Sequence, residues 1–549
     1  MLQKYINNRY KYIVYVSAEK KVSRRTVAGT IAAGIIGLIV GGIVGSQAFP
    51  REVIKEVEKT VTTTKTETKV EEVKPWLPEK WDVEADVVIV GGGGAGLAAA
   101  ITAHDEGANV LIIEKMPQLG LCNTAVSGGI INAWSSKLKL QEKQGIKDSF
   151  ELQYNDLLKS GDYMGDPELI RTLVENAPSV IDFLVDIGVP FADTLTMSGG
   201  QSVPRTHSVI GGGAALHAAL RKQVEKRGIK VLLEHKVIKI IREEANSGRV
   251  LGVKAETADG KIKYIRAKKA VILAAGGFCQ SELLIRRHAP RFVGFPSTNV
   301  PGTTTGEVLI AAMDVGAAIR GMDYVQLWPM CDYETGSLVT IAAATELGIG
   351  IMVNTDGKRF VEELERRDVR RDAVLAQPGG FAFAIVDDKQ LKNFKAFGDP
   401  ETIIADQLKR GVAFKADTIR ELAVLAGINP DNLVETVNNW NKYVDEGHDP
   451  EFKRRDLSMR KGDPMLKIDT PPFYAIKGRP SLHHTMGGLH INSKAQVLDT
   501  EGKVIPGLYA AGEITGGIHG TNRIGGNALL DIIAFGRIAG RNAVREVSM

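Results

Sequence analysis

Gly91-Gly92-Gly93-Gly94-Ala95-Gly96 puts glycines at all three positions of a G-x-G-x-x-G turn: Gly91, Gly93 and Gly96. The first allows a tight turn, the second lets backbone approach a pyrophosphate, and the third permits a helix to pack closely on a strand. Glu114 follows eighteen residues after the last glycine, where a carboxylate accepts hydrogen bonds from ribose hydroxyls. This is dinucleotide chemistry, and the spacing alone fits NAD or FAD. A second group is charged: the run from Gly357 through Arg366-Arg367-Asp368, taken by itself, reads as a solvated salt-bridge cluster with Glu362, Glu363 and Glu365. His483-His484 is an adjacent imidazole pair with no third ligand at metal spacing. Cys122, Cys279 and Cys331 form no C-x-x-C, so no zinc site, haem attachment or iron–sulfur cluster is implied.

The elements that must position these groups are legible around them. Asp86-Val87-Val88-Ile89-Val90 is a short apolar strand running into the glycines, an Ala-rich helix continues to about Glu106, and Asn109 to Ile113 forms a second strand ending at Glu114. A further apolar strand, Ala270 to Leu273, closes on Gly276-Gly277, and another, Val504 to Ala510, closes on Gly512-Glu513. Gly525-Gly526-Asn527-Ala528-Leu529 then opens a helix to about Val544. Strand, glycine turn and helix in alternation predict an α/β fold.

At 549 residues with 44% apolar residues, the chain is long enough for two or three domains with large cores. Residues 1–50 carry a net charge of +6 within a total of +4, which leaves the remainder at −2. Such a near-neutral body gives no reason to expect nucleic acid as a partner. Ser23-Arg24-Arg25-Thr26-Val27 opens an uncharged run to Pro50 that resembles a twin-arginine export signal; the alternative is an uncleaved membrane anchor over residues 26–50. Either reading puts the body outside the cytoplasm, with membrane association through the N-terminus in the second. Residues 51–80 are charged and Thr-rich and read as a stalk, with the globular body starting near Trp81.

His483-His484-Thr485-Met486-Gly487-Gly488 and the run Gly516-Gly517-Ile518-His519-Gly520-Thr521-Asn522-Arg523-Ile524-Gly525-Gly526 carry a specific resemblance. From residue 84 to 545 the chain resembles the fumarate reductase family of flavoproteins, which includes flavocytochrome c fumarate reductases, urocanate reductases and ketosteroid dehydrogenases. The resemblance implies a Rossmann-like FAD-binding domain, residues 81–296 and 466–549, with an α+β capping domain inserted over residues 297–465. It implies FAD, and only one dinucleotide fingerprint is complete, so no separate NAD site is expected. Some members link the flavin through a histidine in the segment that here runs from Gly120 to Gly129; that segment has none, so non-covalent FAD is expected. The implied flavin contacts are Gly91, Gly93, Gly94, Ala95, Gly96, Glu114, Lys115, Asn123, Thr124, Gly129, Ala275, Gly276, Gly512, Glu513, Asn527, Ala528 and Leu529. The final helix is expected to aim its positive end at the flavin pyrimidine edge. Cys122 reads as small-residue packing.

In the same family an arginine of the Arg-Asp pair protonates substrate carbon while flavin N5 gives hydride to the neighbouring carbon, and Arg367 falls on that position. Arg523 and His483 match the residues that clamp one substrate carboxylate, as a guanidinium fork and an imidazole donor are suited to do. The opposite end departs from fumarate reductases. Their glutamine-x-histidine-proline becomes Gln326-Leu327-Trp328-Pro329, and counting back from Arg367, their carboxylate-binding threonine, relay glutamate and relay arginine become Ala342, Ala343 and Glu346. A second substrate carboxylate there would be unpaired, at a cost of several kcal/mol. The expected pocket is therefore Trp328, Ala342, Ala343, His484 and Gly526, the expected substrate an unsaturated monocarboxylate with an apolar or aromatic group, and Glu346 a substitute proton relay to Arg367. The alternatives are a ring-ketone dehydrogenase using Tyr324 and Tyr333, and a non-catalytic electron-transfer flavoprotein. With no haem motif and no room for a further redox domain beyond the stalk, electrons are expected from a separate membrane or soluble carrier.

Overall fold

The computed structural model describes residues 76–394, 397–458 and 460–546. The export or anchor segment and all but the last five residues of the stalk lie outside them. No helix among the described residues is long and apolar enough to cross a membrane.

Val83–Val90 is apolar on both faces from Val87 onward, the pattern of a strand covered on each side, and it forms the middle of an eight-stranded sheet. It pairs in parallel with Val110–Ile113 on one side (Val87 opposite Val110) and with Ile262–Leu273 on the other (Val88 opposite Val271). Val504–Ala510 extends the parallel set beyond Ile262–Leu273, and Lys230–Leu232 extends it beyond Val110–Ile113. The strand order therefore reverses at Val83–Val90, and a crevice opens at the carboxyl ends of these strands, where Val90 runs into Gly91 and Leu273 into Ala274. The helix Gly94–Asp105 covers the sheet, and the final helix Asn527–Val544 packs on it through small residues. A Cβ on Gly536 would stand 2.6 Å from the Ala95 carbonyl oxygen and one on Gly540 2.4 Å from that of Ala99, so larger residues would force the helices apart.

The second body has its own antiparallel sheet of Val325–Asp332, Phe473–Thr485, Ala382–Asp387, Ile351–Val353 and Ala413–Ala416. Phe473–Thr485 corrects the expected domain limit at residue 465. It pairs with both Val325–Asp332 (Gln326 opposite His484) and Ala382–Asp387 (Phe383 opposite Lys477), so the cap sheet extends to Thr485 before the chain returns to the flavin domain. The reason is its length: thirteen residues let one end fill the cap core while the other carries His483-His484 back to the crevice. Ala342 and Ala343 are fully buried beside Met330, Val374 and Ile476 in that core.

Candidate active site

Two joined cavities follow the crevice and share Asn123, Thr124, Glu513 and Ile532. The first is lined by Gly91, Gly93, Gly94, Ala95, Glu114, Lys115, Ala275 and Gly276. The three fingerprint glycines divide their work as their spacing predicts. A Cβ on Gly91 would meet the Ala274 carbonyl oxygen at 2.3 Å and one on Gly96 the Gly91 carbonyl oxygen at 1.9 Å, whereas one on Gly93 finds nothing nearer than 4.0 Å. Gly91 and Gly96 are glycines for the protein's own backbone, and Gly93 leaves an open cradle at the helix N-terminus, the form a pyrophosphate fits. Glu114 already accepts from the Gly92 and Met116 amides, each at 2.7 Å, and a carboxylate's remaining lone pairs can take ribose hydroxyls. Thr124 Oγ1 accepts from the Gly94 amide at 3.1 Å, and Asn123 Oδ1 accepts from the Val300 amide at 2.9 Å. Burial pushes the Cys122 thiol up to about 11, leaving it an inert packing group.

The second cavity, of about 460 Å³, lies between the flavin-domain sheet and the cap. Gly526, Ala528 and Leu529 line it at the start of Asn527–Val544, whose N-terminus no side chain caps, so its free amides remain available to a ligand. Asn132 fixes that turn, donating to the Gly525 carbonyl at 2.7 Å and to Asn527 Oδ1 at 2.8 Å. Asn527 thus spends its side chain on Asn132 and, contrary to expectation, lines neither cavity. Gly512 lines neither cavity as well; it packs on Ala95 and Ile532 between Ala511 and Glu513, which do line the first.

Arg367, His483, Arg523 and Glu346, which are 21 to 177 residues apart, converge on the second cavity with Trp328, His484 and Gly129. Arg367 begins the cap helix Arg367–Leu375. The acids of its run are engaged within the cap: Glu363 holds Arg359 at 2.7 Å and Glu362 holds Arg455 at 2.9 Å. The acids do form salt bridges, but the cluster is buried in the cap rather than solvated, and Arg367 stands apart from it in the cavity. Glu346 stands 3.7 Å from Arg367 and 2.8 Å from Arg370, so one buried carboxylate serves two guanidiniums. The Arg367 guanidinium also lies 4.1 Å over the Trp328 ring. Trp328 meets His483 edge-on at 4.9 Å and, with Leu338, Leu347 and Phe397, makes one end of the cavity apolar. Ala342 and Ala343 do not line that end. They point into the cap core because the 3-10 turn Ile341–Leu347 rotates its cavity face to Glu346 and Leu347. Tyr324 and Tyr333 do not line the cavity either.

Sequence reasoning gave no role to Gln326, yet its amide couples the two bodies. Its Nε2 donates to Asn522 Oδ1 and to the Arg523 carbonyl, both at 2.9 Å, and its Oε1 accepts from Arg367 at 3.2 Å. A glutamine inside an eight-residue fully buried strand was the available signal. Thr298 was likewise missed; its hydroxyl meets His483 Nδ1 at 2.8 Å and orients the ring. Phe397 left no signal in the sequence.

The electrostatics favour an anion. Burial, with Arg367 and Arg523 nearby, holds His483 well below its usual pKa, and burial holds His484 there too, so both imidazoles are neutral. Burial lowers Arg367 to about 10, Glu346 partly opposing it, and lowers Arg523 further with Arg367 adding to the effect. With Glu346 shared between Arg370 and Arg367, two guanidiniums and a neutral imidazole face the cavity without a full countercharge. Glu513, between the cavities, is pushed up to about 7 by burial.

Residues 86–529 match the family profile described as FAD binding domain. The chain is 38% identical over 466 residues to the fumarate reductase (cytochrome) of Shewanella frigidimarina, covering 84% of this chain and 77% of that one. It is 37% identical over 485 residues to the urocanate reductase of Eggerthella lenta, covering 86% and 77%. The open conformation of a flavocytochrome c3 fumarate reductase superposes with a TM-score of 0.68 at 36% identity, covering 85% of this chain and 79% of that structure.

Proposed function

The chain belongs to the FAD-binding-domain family, as an FAD-dependent oxidoreductase of the fumarate reductase type, and from that premise we propose that it reduces the activated C=C bond of an unsaturated monocarboxylate bearing an apolar or aromatic group. When bound, FAD supplies the hydride. Gly93, Glu114, Asn123, Thr124 and the N-terminus of Asn527–Val544 are the groups that would hold it, without a covalent link.

The observation that carries this reading is the two-ended cavity. At one end Arg523 and His483 offer a guanidinium and an imidazole donor to one carboxylate and polarise the adjoining double bond. Beside this clamp, Trp328, Leu338, Leu347 and Phe397 bring no positive charge to a second carboxylate, and the unpaired Trp328 Nε1 is the single N–H donor among these four side chains. Arg367 stands between them, charged at neutral pH and lowered far enough to give a proton to a carbanion-like carbon, with Glu346 behind it to restore that proton. Urocanate, the substrate in the name of one relative, is itself an enoate with one carboxylate and one aromatic ring. A ring-ketone dehydrogenase would need a phenol in the cavity, and Tyr324 and Tyr333 line it nowhere. Electrons come from a separate carrier, and the Ser23-Arg24-Arg25 segment supports export of the body to meet it.

The test is anaerobic oxidation of reduced methyl viologen by purified holoenzyme with fumarate, urocanate, cinnamate and acrylate. Turnover of aryl enoates above fumarate is expected. Fumarate as the fastest substrate would overturn the one-carboxylate pocket.

A further inference from the structure

The substrate-facing arginines stand on different bodies: Arg367 opens a cap helix, and Arg523 belongs to the flavin-domain loop of residues 516–526. Gln326 joins them inside the cavity. A second bridge runs outside it. Arg366, next to Arg367, turns away and donates to both oxygens of Asp162 at 2.6 and 2.9 Å, and also to Asp368. Asp162 in turn accepts from the hydroxyl of Thr521, two residues before Arg523.

The segment around Asp162 grips that loop along its length. The Thr521 amide donates to the Gly161 carbonyl at 3.2 Å, Asn522 donates to Ser160 Oγ at 3.0 Å, and the Asp166 amide donates to the Gly517 carbonyl at 2.6 Å. A Cβ on Gly161 would stand 2.6 Å from the His519 carbonyl oxygen, so the two backbones are in direct contact. Asp162 and Tyr163 hold φ of 51° and 59°, a left-handed conformation in two consecutive non-glycine residues that surrounding contacts must maintain. Half of the Asp162 side chain is exposed, so its pairing with Arg366 adds little to global stability. What it joins is the helix of one substrate-facing arginine to the loop of the other.

We propose that Asp162 is a positioning residue: through Arg366 and Thr521 it fastens the cap to the flavin domain and sets the spacing between Arg367 and Arg523. The assignment rests on the reading of those two arginines as substrate-facing.

The test uses flavin-loaded Asp162→Asn, because asparagine suits the left-handed backbone as well as aspartate does and removes only the charge and the two-oxygen acceptor. Hydrogen–deuterium exchange is expected to rise about fivefold at residues 367–375 and 516–526 and nowhere else, with flavin absorbance and Tm unchanged. On whichever of fumarate, urocanate or cinnamate the wild type reduces, kcat/KM falls about tenfold. Asp162→Glu, which keeps a two-oxygen acceptor, restores most of both. Wild-type exchange in both segments of Asp162→Asn overturns the proposal. If that variant does not fold, Arg366→Lys breaks the fork from the other side and must give the same exchange pattern, and wild-type exchange there overturns the proposal equally. A wild type that reduces none of these acids refutes the proposed function, while the exchange measurement still decides the role of Asp162.

Discussion

Glu346→Gln isolates the charge behind Arg367. The carboxylate is 2% exposed and lies 3.7 Å from the Arg367 guanidinium. At that distance and an effective dielectric of about 20 the attraction is about 4 kcal/mol, equivalent to about three pKa units. Arg370 shares the carboxylate at 2.8 Å and takes part of that, so loss of the charge should lower Arg367 by about one to two units. Arg367 must be protonated to act as an acid, and its pKa of about 10 therefore sets an alkaline limb through which the rate falls as pH rises. Glu346 raises that pKa, so removing it moves the limb to lower pH, to about 8 to 9. The relay function, lost at the same time, costs about 10²- to 10³-fold in kcat. The assay is viologen oxidation with the best enoate from pH 6 to 10 on flavin-loaded variant and wild type, with Tm checked at each pH. Wild-type kcat with an unmoved alkaline limb would refute both the relay and the electrostatic argument.

Three further outcomes follow from the geometry. Gly93→Ala should fold with a near-normal melting temperature yet lose flavin, while Gly96→Ala, whose Cβ would overlap the Gly91 carbonyl oxygen at 1.9 Å, should fail to fold; calorimetry and the bound-flavin spectrum separate the two. Trp328→Ala removes the ring under Arg367, a desolvated cation–π contact of about 2 kcal/mol, and should raise KM for cinnamate at least tenfold while changing that for acrylate far less, as steady-state kinetics will read. Glu513, with a folded pKa of about 7 against an ordinary 4.5, contributes its full stability below the ordinary value and loses it as pH rises through about 7; flavin-free Glu513→Gln should escape about 3 kcal/mol of destabilisation between pH 5 and 8 in urea unfolding.

The buried polar groups of the cavity fit a site shaped for a partner that the protein alone does not provide. Arg523 Nε, His484 Nε2 and Glu346 Oε1 lack hydrogen-bond partners, and the N-terminus of Asn527–Val544 has no side-chain cap. Each such group costs stability while it is unmet. Where they line the cavity, such groups are what a binding site costs the fold.

The parts whose meaning is local were legible along the chain. The G-x-G-x-x-G turn, its flanking strands and Glu114 lie within about thirty residues of one another, and Gly96 meets the backbone of Gly91 inside that unit. The fumarate-reductase-type motifs at His483-His484 and Gly516 to Gly526 were legible for the same reason, since each is contiguous. Trp328, expected in the pocket from its place in Gln326-Leu327-Trp328-Pro329, does line the cavity. The rest depends on packing between distant segments. Ala342 and Ala343, expected in the pocket by counting back from Arg367, turn into the cap core because the 3-10 turn Ile341–Leu347 presents Glu346 and Leu347 to the cavity instead. Arg366 and Arg367 are adjacent and identical in type, yet one reaches Asp162 at the rim and the other Glu346 in the cavity. Gln326 acquires its role from Arg367 and Arg523, 41 and 197 residues away. Direction of side chains at such distances is set by how two sheets and two helices pack, and no spacing along the chain encodes it.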